Sequence, residues 1–245
     1  MENCFRIVTP VYNSEDWIKK CIDSVKAQTY SNYEHIIVDD GSTDKTLEIA
    51  IQETRGDSRF KVVKKDYRMG IMHSHITGAE LLGRNADDED IYVHLDGDDW
   101  LSHDKVLERL NTVYNETGCW MTYGNYEATD GSKSVCSPKR QEKPIRLHIV
   151  EGGWCFSHLR TFKKFLWDKI KVDSLLDSTG KMFTSATDVA ILCPMLEMAG
   201  DKIEFIDEIL YVYNRDNPLN EDKADLDDQV RCALEIAQQP PYKAL

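Results

Sequence analysis

Four short apolar runs alternate with four segments of helical periodicity across the first 113 residues, and this alternation restricts the fold most. Phe5-Arg6-Ile7-Val8-Thr9 has the composition of a strand. Asn13 and Ser14 then offer helix caps, and Glu15 and Asp16 suit a first helical turn. Trp17, Ile18, Cys21, Ile22 and Val25 follow at helical spacing. The unit repeats, with strands expected at 35–38, 60–63 and 91–95. Helices are expected at 43–54, at about 70–82, and through Val106, Leu107, Leu110 and Val113. Such alternation implies an α/β fold, a mostly parallel sheet flanked by helices on both faces. Ligands of open α/β sheets bind outside the carboxyl ends of the strands. The residues at that rim are Pro10 to Asn13, Asp39 to Ser42, Lys64 to Gly70 and Asp96 to Trp100.

After Gly124 the alternation weakens. Residues 129–148 are polar, carry Gly131, Pro138 and Pro144, and read as a long excursion. Helices are expected near 161–170 and 187–198, paired short strands at 204–206 and 209–213, and a terminal amphipathic helix at about 226–238. A chain of 245 residues, 41% hydrophobic, can bury one sizeable core. Its net charge of −13 lacks the basic footprint of phosphate-backbone binding, so no nucleic-acid partner is expected. The 7 cysteines are odd in number and include no CxxC pair, which points to a reducing compartment rather than a zinc site or disulfide framework. The opening MENCFRIV lacks the pattern of a secretory signal. No apolar run approaches the roughly 20 residues of a membrane span. A soluble, cytoplasmic protein is therefore the expectation, with oligomeric state left open.

The stretch IYVHLDGDDWL places Asp96, Asp98 and Asp99 within four positions at the end of an expected strand, with no basic neighbour in sequence. Oxygen ligands there suit a hard divalent cation such as magnesium, manganese or calcium rather than zinc. Two or three carboxylates make an incomplete shell, leaving coordination sites for a substrate's phosphates. Gly97 is expected to permit the tight turn between the ligands. An EF-hand loop does not fit, because Trp100 falls at the third ligand position and no glycine follows at the sixth. The plain alternative is a solvated loop that caps the next helix through Asp99 or Ser102. A phosphatase-type aspartyl nucleophile ordinarily follows the first strand, which here ends in Pro10-Val11-Tyr12-Asn13.

VTPVYNSEDWIKKCIDSVKAQTYSNYEHIIVDDGSTDKT, followed by LDGDDWL, closely resembles glycosyltransferase family 2, the inverting enzymes of the GT-A fold. The resemblance runs from about Phe5 to about Asn217. It implies a Rossmann-like GT-A domain whose residues 1–124 bind a nucleotide sugar. Residues 125–245 would then form the acceptor side, with the catalytic base and the C-terminal helix. It further implies that Pro10, Val11 and the Tyr12 ring contact base and ribose, and that Asp40, or else Asp39, accepts a hydrogen bond from the base. A turn role is the ordinary alternative for both aspartates. Asp96 would lie near the ribose or the metal and Asp98 would bind the metal, Mn²⁺ or Mg²⁺.

Asp188 matches the family's base, although Thr187 stands where a glutamate often precedes it. Helix capping is its ordinary alternative. Family members often carry Asn-x-Gly and then Ala-Arg-Asn after the third strand. Here Arg68 replaces the first asparagine, and His75 and Ile76 stand in place of Arg-Asn. Arg68 remains a candidate for the nucleotide or its phosphates. His73 and His75 are two apart and would not share a helix face, which disfavours a metal pair. Trp154, His158 and Arg160 suit an acceptor-side wall, because aromatic rings stack on sugars and arginine pairs with phosphate or carboxylate. Tyr213, Asn214 and Arg215 are further candidates for closing the site.

The activity so implied is transfer of a sugar from a nucleotide-sugar donor, a UDP-sugar first, to a glycan, protein or small-molecule acceptor. A non-catalytic nucleotide-sugar-binding domain and a nucleotidyltransferase are the rival readings.

Overall fold

The structure is a computed structural model and describes residues 2–134, 136–138, 143–220, 223 and 225–245. The expected polar excursion at 129–148 includes residues 135 and 139–142, which lie outside the described residues. Strands β1 (Phe5–Val11), β2 (Tyr33–Asp39), β3 (Phe60–Lys64) and β4 (Ile91–His94) are separated by helices α1 (Ile18–Lys26), α2 (Thr46–Thr54) and α3 (Ile71–Gly83). Then come β5 (Trp100–Leu101), α4 (Val106–Thr117) and β6 (Met121–Ala128). The remainder holds α5 (Ile145–Val150), β7 (Ser157–Lys163), α6 (Lys164–Asp168), α7 (Thr187–Ala199), β8 (Ile203–Tyr213) and α8 (Leu226–Gln238).

Among the described residues the strands form one sheet in the order β3-β2-β1-β4-β7-β6-β8-β5. The first four in that order are parallel. β7 runs antiparallel to β4 and β6, β8 parallel to β6, and β5 antiparallel to β8. The expected α/β architecture is therefore present, and four of the seven pairings are parallel. β6 crosses residue 124, so the sheet is continuous through the boundary expected there.

Two-faced strands explain the layers. Phe5, Ile7 and Ile37 pack in one cluster with Ile18, Cys21, Ile22 and Val25 of α1. Val8, Ile36 and Val38 face the other way and pack with Leu82 of α3. Each such aliphatic or aromatic side chain stabilises the fold by about 1.5–3 kcal/mol when fully buried. A further cluster joins Tyr92 and Phe162 of the sheet to Ile191 and Met195 of α7 and Ile236 of α8. α4 stops at Gly118, which adopts φ +64 and donates its N–H to the Tyr114 carbonyl.

Three local expectations change. The helix expected at 161–170 begins at Lys164, because Ser157–Lys163 is drawn into the sheet between β4 and β6. Hydrogen-bond ladders on both edges outweigh the helical spacing that follows. The two strands expected at 204–206 and 209–213 are one strand, β8, which pairs with β6 rather than with itself. Residues 207–210 bulge between the pairs Gly124–Ile206 and Tyr126–Tyr211. Asn13 and Ser14 do not cap α1 through their side chains. Asn13 Oδ1 accepts from the Thr43 N–H at 2.8 Å and the Ser14 N–H donates to Thr46 Oγ1 at 2.7 Å. The first rim loop is thereby tied to the entrance of α2.

Two enclosed histidines give the fold a pH dependence. His35 Nε2 shares a hydrogen bond of 2.8 Å with Thr9 Oγ1, and burial pushes its pKa down to about 3. Burial, with repulsion from Arg160 and Lys65, also pushes His75 down to about 3. An unfolded chain takes up both protons near 6.5, whereas the folded one holds both rings neutral until about 3. The unfolded state binds more protons in that window, so stability is retained above 6.5 and declines as pH falls toward 3. Each histidine contributes a slope of up to about 1.4 kcal/mol per pH unit. In thermal melts between pH 7.5 and about 4.5, His35→Gln should lose less stability on acidification than wild type. Equal slopes in wild type and variant would remove His35 from this account.

Candidate active site

The carboxyl ends of β1, β2 and β4 border a cleft of about 430 Å³. The acidic turn is its centre. The Gly97 N–H donates to the Pro10 carbonyl at 3.1 Å, which holds the turn against the end of β1. Gly97 is required there for space. Its φ lies outside the left-handed region, and a Cβ on it would stand 2.6 Å from Val11 Cβ. The expected conformational role of this glycine is thus replaced by a close approach of two backbones.

The three aspartates have separate fates. Asp99 is buried; it accepts from the Tyr211 hydroxyl at 2.5 Å and from the Asn214 N–H at 2.7 Å. It is the tie between the acidic turn and β8, and it caps no helix: Lys105 occupies the cap position of α4. Asp98 Oδ2 accepts from Asn217 Nδ2 at 2.7 Å. Asp96 lines the cleft, and burial, with repulsion from Asp98 behind it, pushes its carboxyl up to about 6. Burial also raises Asp98, and raises Asp99 well above the ordinary carboxylate range.

At one end of the cleft the Arg68 guanidinium lies 4.2 Å over the Tyr12 ring. Asp40 lines the same end. Its Oδ1 accepts from Lys65 Nζ and the Met69 N–H, both at 3.0 Å, and its Oδ2 from the Gly70 N–H at 2.7 Å. A carboxylate oxygen has two lone pairs, so Oδ2 retains acceptor capacity. Asp39 is fully buried, does not line the cleft, and accepts from the Ser42 N–H at 3.2 Å in the turn. The structure therefore separates the pair: Asp40 faces the cleft and Asp39 holds the loop.

At the other end Asp188 sits in the first turn of α7. Ala186, at the cap position with φ +51, receives no side-chain cap, and Asp188 Oδ2 instead accepts from Arg160 Nη2 at 2.8 Å. Arg160 Nε donates to the Phe156 carbonyl at 3.3 Å, which anchors the guanidinium. Both residues act electrostatically on Asp96, Arg160 lowering its pKa and Asp188 raising it. His158 lines the cleft and stacks on Tyr211 with ring centroids 4.3 Å apart. Trp154 does not line it; its ring packs on Phe156 at 5.1 Å in the apolar cluster beneath.

Of the residues singled out from the sequence, Pro10, Val11, Tyr12, Asp40, Arg68, Asp96, Asp98, His158, Arg160 and Asp188 line this one cleft. Tyr213 and Arg215 line it as well. Asn217 and His94 line it without having been foreseen, His75 lines it although only a metal pair was weighed for it, and Lys65 and Tyr211 bond to Asp40 and Asp99 from outside the lining. The asparagine-rich YNRDNPLN carried a hint of Asn217, and Lys65 lies in the rim segment 64–70 with no individual role read for it.

The glycosyl transferase family 2 model matches residues 6–179. The chain belongs to this family. Glycosyltransferase GlyA of Streptococcus pneumoniae serotype 4 is 31% identical over 84% of this chain and 30% of its own length. Putative glycosyltransferase EpsH of Bacillus subtilis is 33% identical over 70% of this chain and 48% of its own. The family 2 chain thus spans less than half of either relative. Among solved structures, S. aureus TarS superposes with a TM-score of 0.66 at 19% identity, over 86% of this chain and 36% of TarS. Glucosyl-3-phosphoglycerate synthase from Mycobacterium tuberculosis, with Mn²⁺, UDP and glucosyl-3-phosphoglycerate, superposes at 0.62 with 20% identity over 97% and 81%. These likenesses show the GT-A fold. Among the described residues of the family 2 chain no helix is long and apolar enough to cross a membrane.

The contact of Gly97 with Val11 yields a prediction. Gly97→Ala forces a methyl into a gap that holds none, an overpacking that typically costs about 1–3 kcal/mol. Urea unfolding should report that loss. An unchanged midpoint would show that the turn has room to shift.

Proposed function

We propose that this protein is a metal-dependent, inverting glycosyltransferase that transfers a sugar from a nucleotide-sugar donor, a UDP-sugar, to an acceptor hydroxyl. The observation that carries the reading is the meeting of three groups on one cleft: Tyr12–Arg68–Asp40, the Asp96–Asp98 turn, and Asp188 held by Arg160. Support for the donor comes from the TarS structure with UDP-GlcNAc, which has a TM-score of 0.64. The Mn²⁺ and UDP in the glucosyl-3-phosphoglycerate synthase structure support the metal.

The donor set fits such an ion. Among the described residues no three His, Cys, Asp or Glu side chains converge into a closed metal site. Asp98 and Asp96 offer hard oxygen ligands on one turn, the open set that Mn²⁺ or Mg²⁺ completes with water and phosphate. When bound, the ion would stabilise charge on the leaving diphosphate. Asp40 would accept the N–H of the base, with Pro10, Val11 and Tyr12 beside base and ribose and Arg68 moving from the Tyr12 face toward the nucleotide. Asp188 would take the proton from the acceptor hydroxyl as it attacks the anomeric carbon from the face opposite the diphosphate. Arg160 would hold the Asp188 carboxylate in place, with His158 beside it.

Residues 1–124 are then the donor side and 125–245 the acceptor side of one domain. The acceptor is a glycan, a protein or a small molecule. The odd cysteine count, with no CxxC pair, accords with a reducing, cytoplasmic setting. A panel of nucleotide sugars with Mn²⁺ and Mg²⁺ tests the whole reading. Release of a nucleoside diphosphate is expected; release of pyrophosphate would make the protein a nucleotidyltransferase, and neither product would make it a binding domain.

Two substitutions test the parts. Asp188→Asn preserves shape but cannot accept the proton, so transfer should fall by about 10²–10⁴-fold while UDP affinity and melting temperature hold. Near-normal transfer would leave Asp188 as a structural partner of Arg160. Asp98→Ala should nearly abolish turnover, and EDTA should do the same to the wild type, with Mn²⁺ or Mg²⁺ restoring it. Full activity in chelator would refute metal dependence.

A further inference from the structure

Lys65 follows β3 and is fixed at both ends. Its N–H donates to the Asp39 carbonyl at 2.9 Å, and its Nζ meets Asp40 Oδ1 at 3.0 Å and Ser74 Oγ of α3 at 2.8 Å. The Lys65 and Asp40 side chains are 9% and 4% exposed. An ammonium and a carboxylate so enclosed are costly to desolvate, and each is tolerated because it has the other. The same carboxylate accepts from the Met69 and Gly70 N–H groups, so the segment 65–70 closes as a ring of bonds around Asp40. The ring is tight: a Cβ on Gly41, which adopts φ +77, would stand 2.7 Å from the Tyr67 carbonyl carbon.

A cation here can serve a nucleotide in two ways, by meeting a phosphate itself or by acting through Asp40. The second fits the geometry. Lys65 does not line the cleft, whereas Asp40 and Ser74 do, and its ammonium is already directed at both of them. Lys65 Nζ and the Met69 N–H take the two lone pairs of Asp40 Oδ1, and the Gly70 N–H takes one of the two on Oδ2. One acceptor direction is left on a carboxylate that lines the cleft with Pro10, Val11 and Tyr12.

We propose that Lys65 is the positioning residue of the nucleobase site: by holding Asp40 in one orientation it makes the protein select a base whose ring N–H lies next to a carbonyl, the pattern of uracil. This rests on the nucleotide-sugar reading, in which Asp40 accepts that N–H. A carboxylate oriented in advance loses little freedom when the bond forms, so the bond keeps its selectivity.

The test measures affinity by calorimetry, at a fixed Mn²⁺ concentration, for UDP and for UDP methylated at the ring N–H, which keeps the phosphates but cannot donate. Wild type should favour UDP by about 10–100-fold, the worth of a hydrogen bond to a charged group. Lys65→Met keeps the stem and removes the ammonium. It should weaken UDP by about tenfold, leave the methylated nucleotide within about twofold, and so shrink the preference. In an Asp40→Asn background the same change should weaken UDP by no more than about twofold, because the partner carboxylate is gone. Equal losses for both nucleotides, or an undiminished loss in the Asp40→Asn background, would mean that Lys65 meets the phosphates or only supports the fold, and would overturn the inference. So would an unchanged preference in folded Lys65→Met. Ser74→Ala fits the space of the serine and frees the ammonium from its second partner. Should Lys65→Met not fold, a smaller loss of preference is expected in Ser74→Ala, and no loss there overturns the inference. A wild type that binds UDP without preferring it overturns this inference alone; a wild type that binds neither nucleotide sinks the nucleotide-sugar reading with it.

Discussion

Three carboxylates on one buried turn are the constraint around which the site is arranged. Burial raises all of them, and repulsion from neighbouring aspartates adds to it at Asp96 and Asp99. The fold answers with neutral donors rather than a buried cation at each. Tyr211 and Asn214 serve Asp99, and Asn217 serves Asp98. Asp96 remains with its charge balanced between Asp98 and Asp188 on one side and Arg160 on the other. A turn so arranged favours a positive ion or a polar ligand over an apolar one.

The donors to the Asp98 and Asp99 carboxylates come from the far end of the chain. Tyr211 lies on β8, and Asn214 and Asn217 lie in the loop after it. That loop is itself braced, with Asn220 Nδ2 donating to the Asn214 carbonyl at 2.8 Å. β8 reaches this position because it pairs with β6, and β7 closes the gap between β6 and β4. The antiparallel strand is thus what carries Arg160 to the side of His94 and lets it hold Asp188. The candidate base and the acidic turn are joined through the sheet rather than through adjacent sequence.

Legibility in the sequence follows range. The four strand–helix units of the first half were readable because period and composition are local properties, and α8 was readable for the same reason. β7 was not, because Ser157–Lys163 is a strand only between two partners supplied from elsewhere. The acidic turn, Tyr12, Arg68 and Asp188 stood out by residue type and motif, and they do share a cleft. Asp39 and Asp40 are chemically identical neighbours. Only the alternation of side chains at the end of β2 turns one toward the cleft and the other into the loop. Trp154 looked like a sugar platform by type and is a packing residue by position.

By itself the sequence determined the strand–helix alternation, the position of the rim at the carboxyl ends of the strands, and the oxygen-rich character of the turn. Each depends on backbone periodicity or on side-chain chemistry within a few residues. The tertiary structure decided which polar groups meet. Lys65 reaches Asp40 across 25 residues, Arg160 reaches Asp188 across 28, and Asn217 reaches Asp98 across 119. It also decided that Gly97 matters for a contact with Val11, a residue 86 positions away, rather than for its own torsion angle. Hydrogen bonds, ion pairs and close packing act over a few ångströms of space. Separation along the chain carries no record of them until the sheet is assembled.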